Sequence, residues 1–199
     1  MCIIMIVSTL NSHLEGLQRK ASPISAGGFL AKQICLLFRM TLSYMSHLPT
    51  PELKFFADLS VEVDKPIEVG QTLHGKRRVI PILGGSATGN GWTARVLPGG
   101  ADFQLIVNAQ MAELDARYAL ETDAGDLIYV QNSAIRTASP DVMAKLLKGE
   151  VVNPESVYFR CMPRFETSSS ALGWISERMF IGTGARHPDR VVMRFFEVN

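Results

Sequence analysis

The sequence is poor in the residues that build metal centres and disulfide frameworks. It contains three cysteines and four histidines in 199 residues, and Cys2, Cys35 and Cys161 show none of the close spacings that hold a zinc ion. An odd number of widely spaced cysteines is typical of free thiols in a reducing compartment. We therefore expect a cytoplasmic protein that uses no metal and no other cofactor.

Long apolar runs and an excess of one charge are also missing. The formal net charge is +1, which provides no electrostatic attraction to nucleic acid or to an anionic membrane. The apolar segment "FLAKQICLLFRM" is interrupted by Lys32 and Arg39 and falls short of the roughly 18 uninterrupted residues of a membrane span. The composition therefore predicts neither a nucleic-acid partner nor a membrane partner.

Motifs for nucleophilic catalysis and phosphate binding are lacking as well. The sequence has no G-x-S-x-G segment. The glycine-rich "GGSATGNG" lacks the Lys-Ser/Thr of a P-loop and leads into a strand instead of a helix, so we interpret it as a hairpin turn. Cys161 alternates with aromatic residues on the apolar side of a strand, where we expect an unreactive core thiol.

Residues 1–50 differ from the rest of the chain. They hold four basic residues and one acidic residue, and the opening "MCIIMIVSTL" lacks the basic start and the cleavage site of a secretory signal. A basic, serine-containing stretch with few acids also fits an organellar transit peptide. We favour a leader that is disordered or that precedes a true start at Met40 or Met45, because regular patterning begins only after "LPTP". The folded domain is then residues 51–199.

What the chain does contain is a series of alternating apolar and polar residues. From Leu53 to Val63 this alternation has a period of two, the pattern of a strand with one buried face. Further strands follow from "RRVIPIL" onward, with "PIEVGQTLHG" as a connection, separated by Gly, Asn and Asp clusters. About 8–10 strands at this spacing predict an all-β fold whose single antiparallel sheet closes or folds over itself.

One short helix interrupts the strands. In "SPDVMAKLLKG", Ser139 is placed as the N-cap, Pro140 as the first helical residue and Gly149 just past the end. The segment from Val142 to Leu147 carries an apolar stripe. We expect this helix to pack on the sheet as a crossover, with a mobile lid as the alternative.

Charged residues follow one face of two predicted strands, "AELDARYALET" and "YFRCMPRFET". In "AELDARYALET" the charged residues share one face and the apolar residues share the other. A solvent-exposed face is one interpretation. The other is that Asp115 and Arg117 meet Arg160 or Glu166 on a partly covered face, where buried charges have to neutralise one another.

Two segments, "LIYV" and "VVMRFFEV", are apolar on both faces. A strand of this kind is covered on both sides. The helix, a terminal segment or a second subunit can supply the cover, which leaves a homo-oligomer open.

The blocks "RRVIPILGG", "LPGGADFQ", "AELDARY", "DLIYVQN", "VYFRCMPRFET" and "GARHPDRV", in this order and spacing, resemble the UPF0311 family, also described as the domain of unknown function DUF3237. The resemblance extends from about Pro51 to the C-terminus. It implies a single, calycin-like β-barrel and no established substrate or cofactor. A cofactor-free isomerase or cyclase activity has been linked to distant fungal relatives.

Two functional interpretations remain. In the first, the barrel binds a small apolar or aromatic molecule and uses an acid/base pair on it. The catalytic candidates are Asp102, Tyr118, Arg160 and Glu166, with either carboxylate as the base and Tyr118 or Arg160 stabilising an oxyanion. The candidates for substrate binding are Trp92, Phe103, Asp115, Arg117, Tyr129, Phe159 and Trp174. In the second interpretation, the same charges form surface ion pairs of a non-catalytic structural or interaction module.

Overall fold

The computed structural model describes residues 48–199. The prediction of a leader at residues 1–50 lies outside the described residues, apart from the last three of them. The strands are β1 (Leu53–Val63), β2 (Ile67–Thr72), β3 (Gly75–Gly89), β4 (Trp92–Val96), β5 (Ala101–Asn108), β6 (Met111–Thr122), β7 (Leu127–Thr137), β8 (Tyr158–Thr167), β9 (Phe180–Arg186) and β10 (Arg190–Val198). The helix α1 spans Pro140–Leu147, and short 3-10 turns span Pro154–Ser156 and Gly173–Glu177.

The sheet closes into a barrel because β1 pairs on both of its edges. One edge of β1 pairs with β10 and the other with β3, all antiparallel. From β10 the order continues through β9, β8, β7 and β6. Strands β4 and β5 lie end to end between β6 and β3, so the closed ring has eight positions. Across residues 48–199, the prediction of a single antiparallel barrel with one helix is confirmed.

The helix forms where its capping residues predict. The Ser139 side chain accepts a hydrogen bond from the Val142 amide, and Gly149 has a φ of +78° just past the last turn. Met143 and Leu146 are buried, which is the crossover packing expected of an amphipathic helix. In the described part of the chain, this helix is too short and too polar to cross a membrane, and no other helix there is longer.

One local prediction was wrong, and a second holds for only part of its segment. The segment "PIEVGQTLHG" contains the edge strand β2, which pairs only with β3 and exposes Ile67 and Val69. The glycine-rich "GGSATGNG" is mostly strand, and the turn is confined to Asn90 and Gly91. Gly85 has a φ of +133° beside a register shift, and a Cβ there would lie 2.0 Å from the Ser60 carbonyl oxygen. Gly85 therefore serves the close approach of β3 to β1, while Gly91, with a φ of +83°, serves the β3–β4 hairpin turn.

The aromatic part of the apolar core gathers at one end of the barrel. A register shift between Phe55 and Ala57 turns Phe56 inward, where its ring lies 5.5 Å from Trp92, 5.2 Å from Phe165 and 4.6 Å from Phe180 between centroids. Tilted ring pairs at these distances stabilise beyond simple area burial. This end, formed by the start of β1 and the β3–β4 and β6–β7 turns, is packed with aromatic side chains.

Candidate functional site

Buried polar side chains gather toward the opposite end of the barrel. We name them the interior polar cluster. Its members are Arg78 on β3, Asp102 and Gln104 on β5, Tyr118 on β6, Asn132 and Arg136 on β7, and Arg186 on β9. Arg186 is half-buried and the other six are buried, with Asp102 8% and Arg136 1% exposed. Polar groups withdrawn from water this far need partners or a function.

The strand period places these residues inside. On β3, Arg78 is in phase with Ile80 and Ile82, which are buried in the core. On β7, Asn132 and Arg136 are in phase with the buried Val130. Because side chains two apart on a strand share a face, the backbone directs the polar groups inward together with the apolar ones.

A short hydrogen-bond chain holds the carboxylate of Asp102. Arg78 Nε donates to Gln104 Oε1 at 2.9 Å, and Gln104 Nε2 donates to Asp102 Oδ2 at 2.5 Å. Glu68, which is half-exposed on β2, lies 3.8 Å from Arg78 Nη1. These hydrogen bonds fix the orientation of Asp102 Oδ2 and connect it, through Gln104, to the guanidinium group of Arg78.

A cavity of about 40 Å³ lies beside the hydrogen-bonded Asp102 and Gln104. Its polar lining comes from Asp102, Gln104, Tyr118, Asn132 and Arg186, and its apolar lining includes Leu114, Phe159 and Met193. One water takes up about 10–15 Å³ of such a cavity, so the cavity holds roughly three waters or a small organic group. A larger molecule requires neighbouring side chains to move.

Three cavity-lining residues carry oxygens without a hydrogen-bond partner. Among residues 48–199, Asp102 Oδ1, the Tyr118 hydroxyl and Asn132 Oδ1 make no hydrogen bond to the protein. The Asn132 amide nitrogen, in contrast, donates to the Met193 sulfur at 3.3 Å. Buried oxygens of this kind are unfavourable in a core and are common where a ligand completes the bonding.

Burial sets the protonation of the cluster. It raises the pKa of Asp102 above its ordinary value, against the hydrogen bond from Gln104 and the charges of Arg136 and Arg78. Burial also raises the pKa of Tyr118, with Cys161 and Asp102 adding to the effect, so its phenol keeps the proton. Desolvation lowers the pKa of Arg136 to about 10 despite the attraction of Asp102, which leaves Arg136 a cation at neutral pH.

The structure brings together only some of the sequence-predicted site residues. Asp102, Tyr118 and Phe159 line the interior cavity. Arg160 and Glu166 project from the outer face of β8 and are exposed, as are the other charged side chains of "YFRCMPRFET". The Arg160 guanidinium carbon lies 4.8 Å from the centre of the exposed Tyr158 ring.

The predicted wall residues divide between two further places. Trp92 and Trp174 line an open groove of about 780 Å³ at the aromatic end of the barrel. Phe103 and Asp115 lie on the outer face. Asp115 Oδ2 accepts a hydrogen bond from Arg117 Nη2 at 3.0 Å, on the face where Tyr129 is also exposed. The outward face of β6 is therefore the solvent face that the alternation predicted.

Sequence reasoning missed five members of the interior polar cluster: Arg78, Gln104, Asn132, Arg136 and Arg186. The signal was present, since four of them stand in phase with apolar residues of their strands. Cys161, by contrast, is buried as predicted, and burial raises the pKa of its thiol to about 12, which makes it a poor nucleophile. Within the part of the chain that the structure describes, no three His, Cys, Asp or Glu side chains group as metal ligands do.

Fold and site define a closed β-barrel with a polar interior at one end. The chain belongs to the family described as "Protein of unknown function (DUF3237)", whose model matches residues 51–198. A UPF0311 protein of Rhodopseudomonas palustris (strain TIE-1) is 43% identical over 150 residues, which cover 75% of this chain and 98% of the relative. The family resemblance is confirmed.

Solved structures agree on the fold. The crystal structure of the conserved protein of unknown function RPA1785 from Rhodopseudomonas palustris matches with a TM-score of 0.72 and 42% identity over 76% of this chain and 99% of that chain. An enzyme from Penicillium herquei matches with a TM-score of 0.57 and 18% identity over 76% of this chain and 98% of that chain. At that identity the likeness concerns the fold alone.

Proposed function

We propose that the barrel binds a small organic molecule in its interior cavity and transfers a proton on it without a cofactor, as an isomerase or cyclase does. One observation carries the proposal. Asp102 and Tyr118, both buried, line the same cavity, and each has an oxygen that no residue in the range 48–199 satisfies. A buried carboxylate and a neutral phenol at one cavity are the groups that acid–base chemistry needs.

The two groups have different roles. Asp102 Oδ2 is held by Gln104, so Oδ1 is the oxygen that accepts a proton from a C–H bond next to a ligand carbonyl. As that bond breaks, its electron pair moves toward the carbonyl oxygen, and the Tyr118 hydroxyl donates a hydrogen bond to the developing charge. Asp102 then returns the proton to a different atom of the ligand, and no oxidant or reductant is consumed.

Two features of the site favour this assignment over the other candidates. A raised pKa brings the Asp102 carboxyl closer to neutral pH, where an acid/base group works best. Glu166 and Arg160 are exposed on the outer face of β8, where water competes for every charge that they could stabilise. We therefore assign the base to Asp102 and the oxyanion donor to Tyr118.

Ligand binding can be tested with Met193 as a reporter, since its side chain lines the cavity. The protein is labelled with ¹³C at the methionine methyl groups and titrated with 2-butanone and pyruvate. We expect the Met193 signal to shift and saturate with at least one of them. Filling the cavity in Ala134→Leu should abolish the shift, whereas Ala144→Leu on the exposed face of α1 should not. A Met193 signal that responds to neither compound would contradict the proposal.

A second candidate function, an interaction module, rests on a different surface. The outer apolar groove is lined by Phe103, Ile135, Tyr158, Met162 and Ile181. All five are exposed, Met162 by 60%. Acidic Glu113 and Asp115 and basic Arg77 and Arg160 border the same groove. A surface that carries both signs around an apolar centre can pair with itself across a two-fold axis, so the proposed partner is a second copy of this chain.

Sedimentation equilibrium tests this second candidate. The wild-type protein should form a dimer, and Met162→Glu should be monomeric at the same concentration, because it places a charge in the apolar centre of the groove. Arg164→Glu, on the same exposed face of β8 and outside the groove, serves as the control. A wild-type protein that stays monomeric, or a dimer that Met162→Glu leaves intact, would exclude this interface.

A further inference from the structure

The interior polar cluster holds more positive than negative charge. Arg78, Arg136 and Arg186 provide three guanidinium groups, and Asp102 is the one carboxylate of the cluster. Glu68 offsets part of the charge of Arg78, but it is half-exposed and 3.8 Å away. A buried cation without a matching anion is strongly unfavourable, so the excess calls for compensation.

The three arginines act on one another. The charges of Arg78 and Arg186 both lower the pKa of Arg136, after desolvation, and only Asp102 opposes them. Desolvation and the charge of Arg78 lower the pKa of Arg186, and the charges of Asp102 and Asp189 oppose them. The three guanidinium groups are thus close enough to repel one another.

Their hydrogen bonds leave capacity unused. Arg136 Nε and Nη2 make no hydrogen bond to any residue between 48 and 199, although the side chain is only 1% exposed. Arg78 donates from Nε to Gln104, which is neutral. Arg186 Nη1 donates to the backbone oxygens of His187 and Arg190, and Arg186 also lines the cavity. Guanidinium groups are well suited to carboxylates, which they bind with two parallel hydrogen bonds.

We infer that the molecule bound in the interior cavity is a small organic anion, a carboxylate of a few carbon atoms. Arg186 contacts this carboxylate, and the charges of Arg78 and Arg136 stabilise it without contact. This inference rests on the proposed function of the same cavity and adds the class of ligand. The carboxylate lies toward the arginines, and the carbon chain lies against Leu114, Phe159 and Met193. The cavity volume of about 40 Å³ limits the ligand to a short chain.

The low dielectric of the barrel interior strengthens the attraction between the arginines and an anionic ligand. In the low-dielectric interior a charge acts over several ångströms with little screening, so Arg136 contributes without contact. A neutral ligand of the same shape gains less from these charges than a carboxylate does. The difference in affinity between an acid and its amide therefore reports the net effect of the ligand's charge, after the larger desolvation cost of the acid.

The test compares propionate with propionamide, which match in shape and differ in charge. Each is titrated into the full chain, with the Met193 methyl signal as the readout. Propionate should bind at least about tenfold more tightly than propionamide, the effect expected of a charge-assisted contact. Arg186→Gln and Arg136→Gln should each reduce the affinity for propionate about tenfold, while Arg164→Gln on the exposed face of β8 should leave it unchanged.

The outcomes separate the two proposals. Equal binding of propionate and propionamide would overturn the anionic ligand and leave the binding cavity standing. Propionate binding that survives both arginine substitutions would overturn the role of the arginines. If neither compound, nor 2-butanone, nor pyruvate shifts the Met193 signal, the proposed function fails as well. The comparison of the two ligands uses wild-type protein, so it holds even where an arginine variant does not fold.

Discussion

Gln104 and Asp102 lie two residues apart on the inner face of β5, and the Gln104 amide donates to Asp102 Oδ2 over 2.5 Å. Gln104 also accepts from Arg78 Nε at 2.9 Å. A neutral side chain thus stands between a buried guanidinium group and a buried carboxyl group and makes one hydrogen bond to each. We name Arg78, Gln104 and Asp102, joined by these two hydrogen bonds, the relay. The position of the proposed base, Asp102, depends on it.

Replacing the relay should destabilise the fold. Gln104→Leu keeps the approximate volume but leaves Arg78 Nε and Asp102 Oδ2 without their partners. We expect the free energy of unfolding in urea to fall by about 1–3 kcal/mol or more, the penalty for stranding buried polar groups. Gln71→Leu, on the exposed edge strand β2, is the control and should change it by less than about 0.5 kcal/mol. Equal effects of the two substitutions would show that the relay has no structural role.

The pH dependence of stability should report the ionisation of Asp102. Burial raises the pKa of this carboxyl, so the folded protein holds the proton more tightly than the unfolded chain. Stability from that proton is full below the unfolded pKa and is lost as pH rises through the folded pKa. Asp102→Asn cannot ionise, and its stability relative to wild type should therefore improve as pH rises above the unfolded pKa of about 4.

The groups that face Asp102 are Gln104 on its own strand, Arg78 on β3, Tyr118 on β6, Arg136 on β7 and Arg186 on β9. Asp58 supplies a control of opposite sign, since the hydrogen bond from Arg194 lowers the pKa of its carboxyl. The stability of Asp58→Asn relative to wild type should instead improve as pH falls, by a small amount because the pair is largely exposed. An Asp102→Asn difference that follows the same direction as Asp58→Asn would refute the raised pKa.

The aromatic end of the barrel should depend on Phe56. Its ring has four aromatic neighbours, and removing it in Phe56→Ala should lower the free energy of unfolding by about 3–5 kcal/mol. The adjacent Phe55 is 42% exposed and contacts Arg194, so Phe55→Ala should cost only about 0.5–1 kcal/mol. Thermal or urea unfolding of both variants checks the contrast. A larger loss for Phe55→Ala would mean that the register shift in β1 is misplaced.

Barrel closure should be sensitive to Gly85. A methyl group at this position would clash with the Ser60 carbonyl oxygen. The backbone there also has a positive φ, which alanine adopts only with strain. Gly85→Ala should therefore destabilise much more than Gly91→Ala, whose turn position also has positive φ but has open space around it. We expect about 1 kcal/mol for Gly91→Ala, the conformational penalty alone. Similar losses in the two variants would argue against close contact between β1 and β3.

Most of the fold could be predicted from the sequence because its strands alternate cleanly. The segment Leu53–Val63 and "YFRCMPRFET" each show one apolar face, and both became barrel strands. The edge strand β2 was missed because it buries neither face, so its pattern lacks the usual contrast. A glycine run also reads as a turn until the close approach of Gly85 to Ser60 is known, and that contact is 25 residues away in sequence.

The site was harder to predict for a physical reason. Alternation shows which residues share a face, but a charge in the apolar phase, such as Arg136, reads as an irregularity in the strand. Its burial depends on the partners that closure of the barrel brings from other strands. Of the predicted catalytic residues, Asp102 and Tyr118 line the interior cavity, while Arg160 and Glu166 lie on the outer face of β8.

Proton–deuterium exchange tests the central claim most directly. The full chain in D₂O is mixed with pyruvate or 2-butanone, and the loss of the protons next to the carbonyl is followed by NMR, with Glu150→Gln, an exposed loop variant, as the control. Our account predicts that wild-type protein accelerates the exchange of at least one compound. Asp102→Asn should lose about 10²-fold or more of that acceleration, and Tyr118→Phe should lose part of it. Exchange by wild type that is no faster than buffer, or equal acceleration by wild type and Asp102→Asn, would contradict the account.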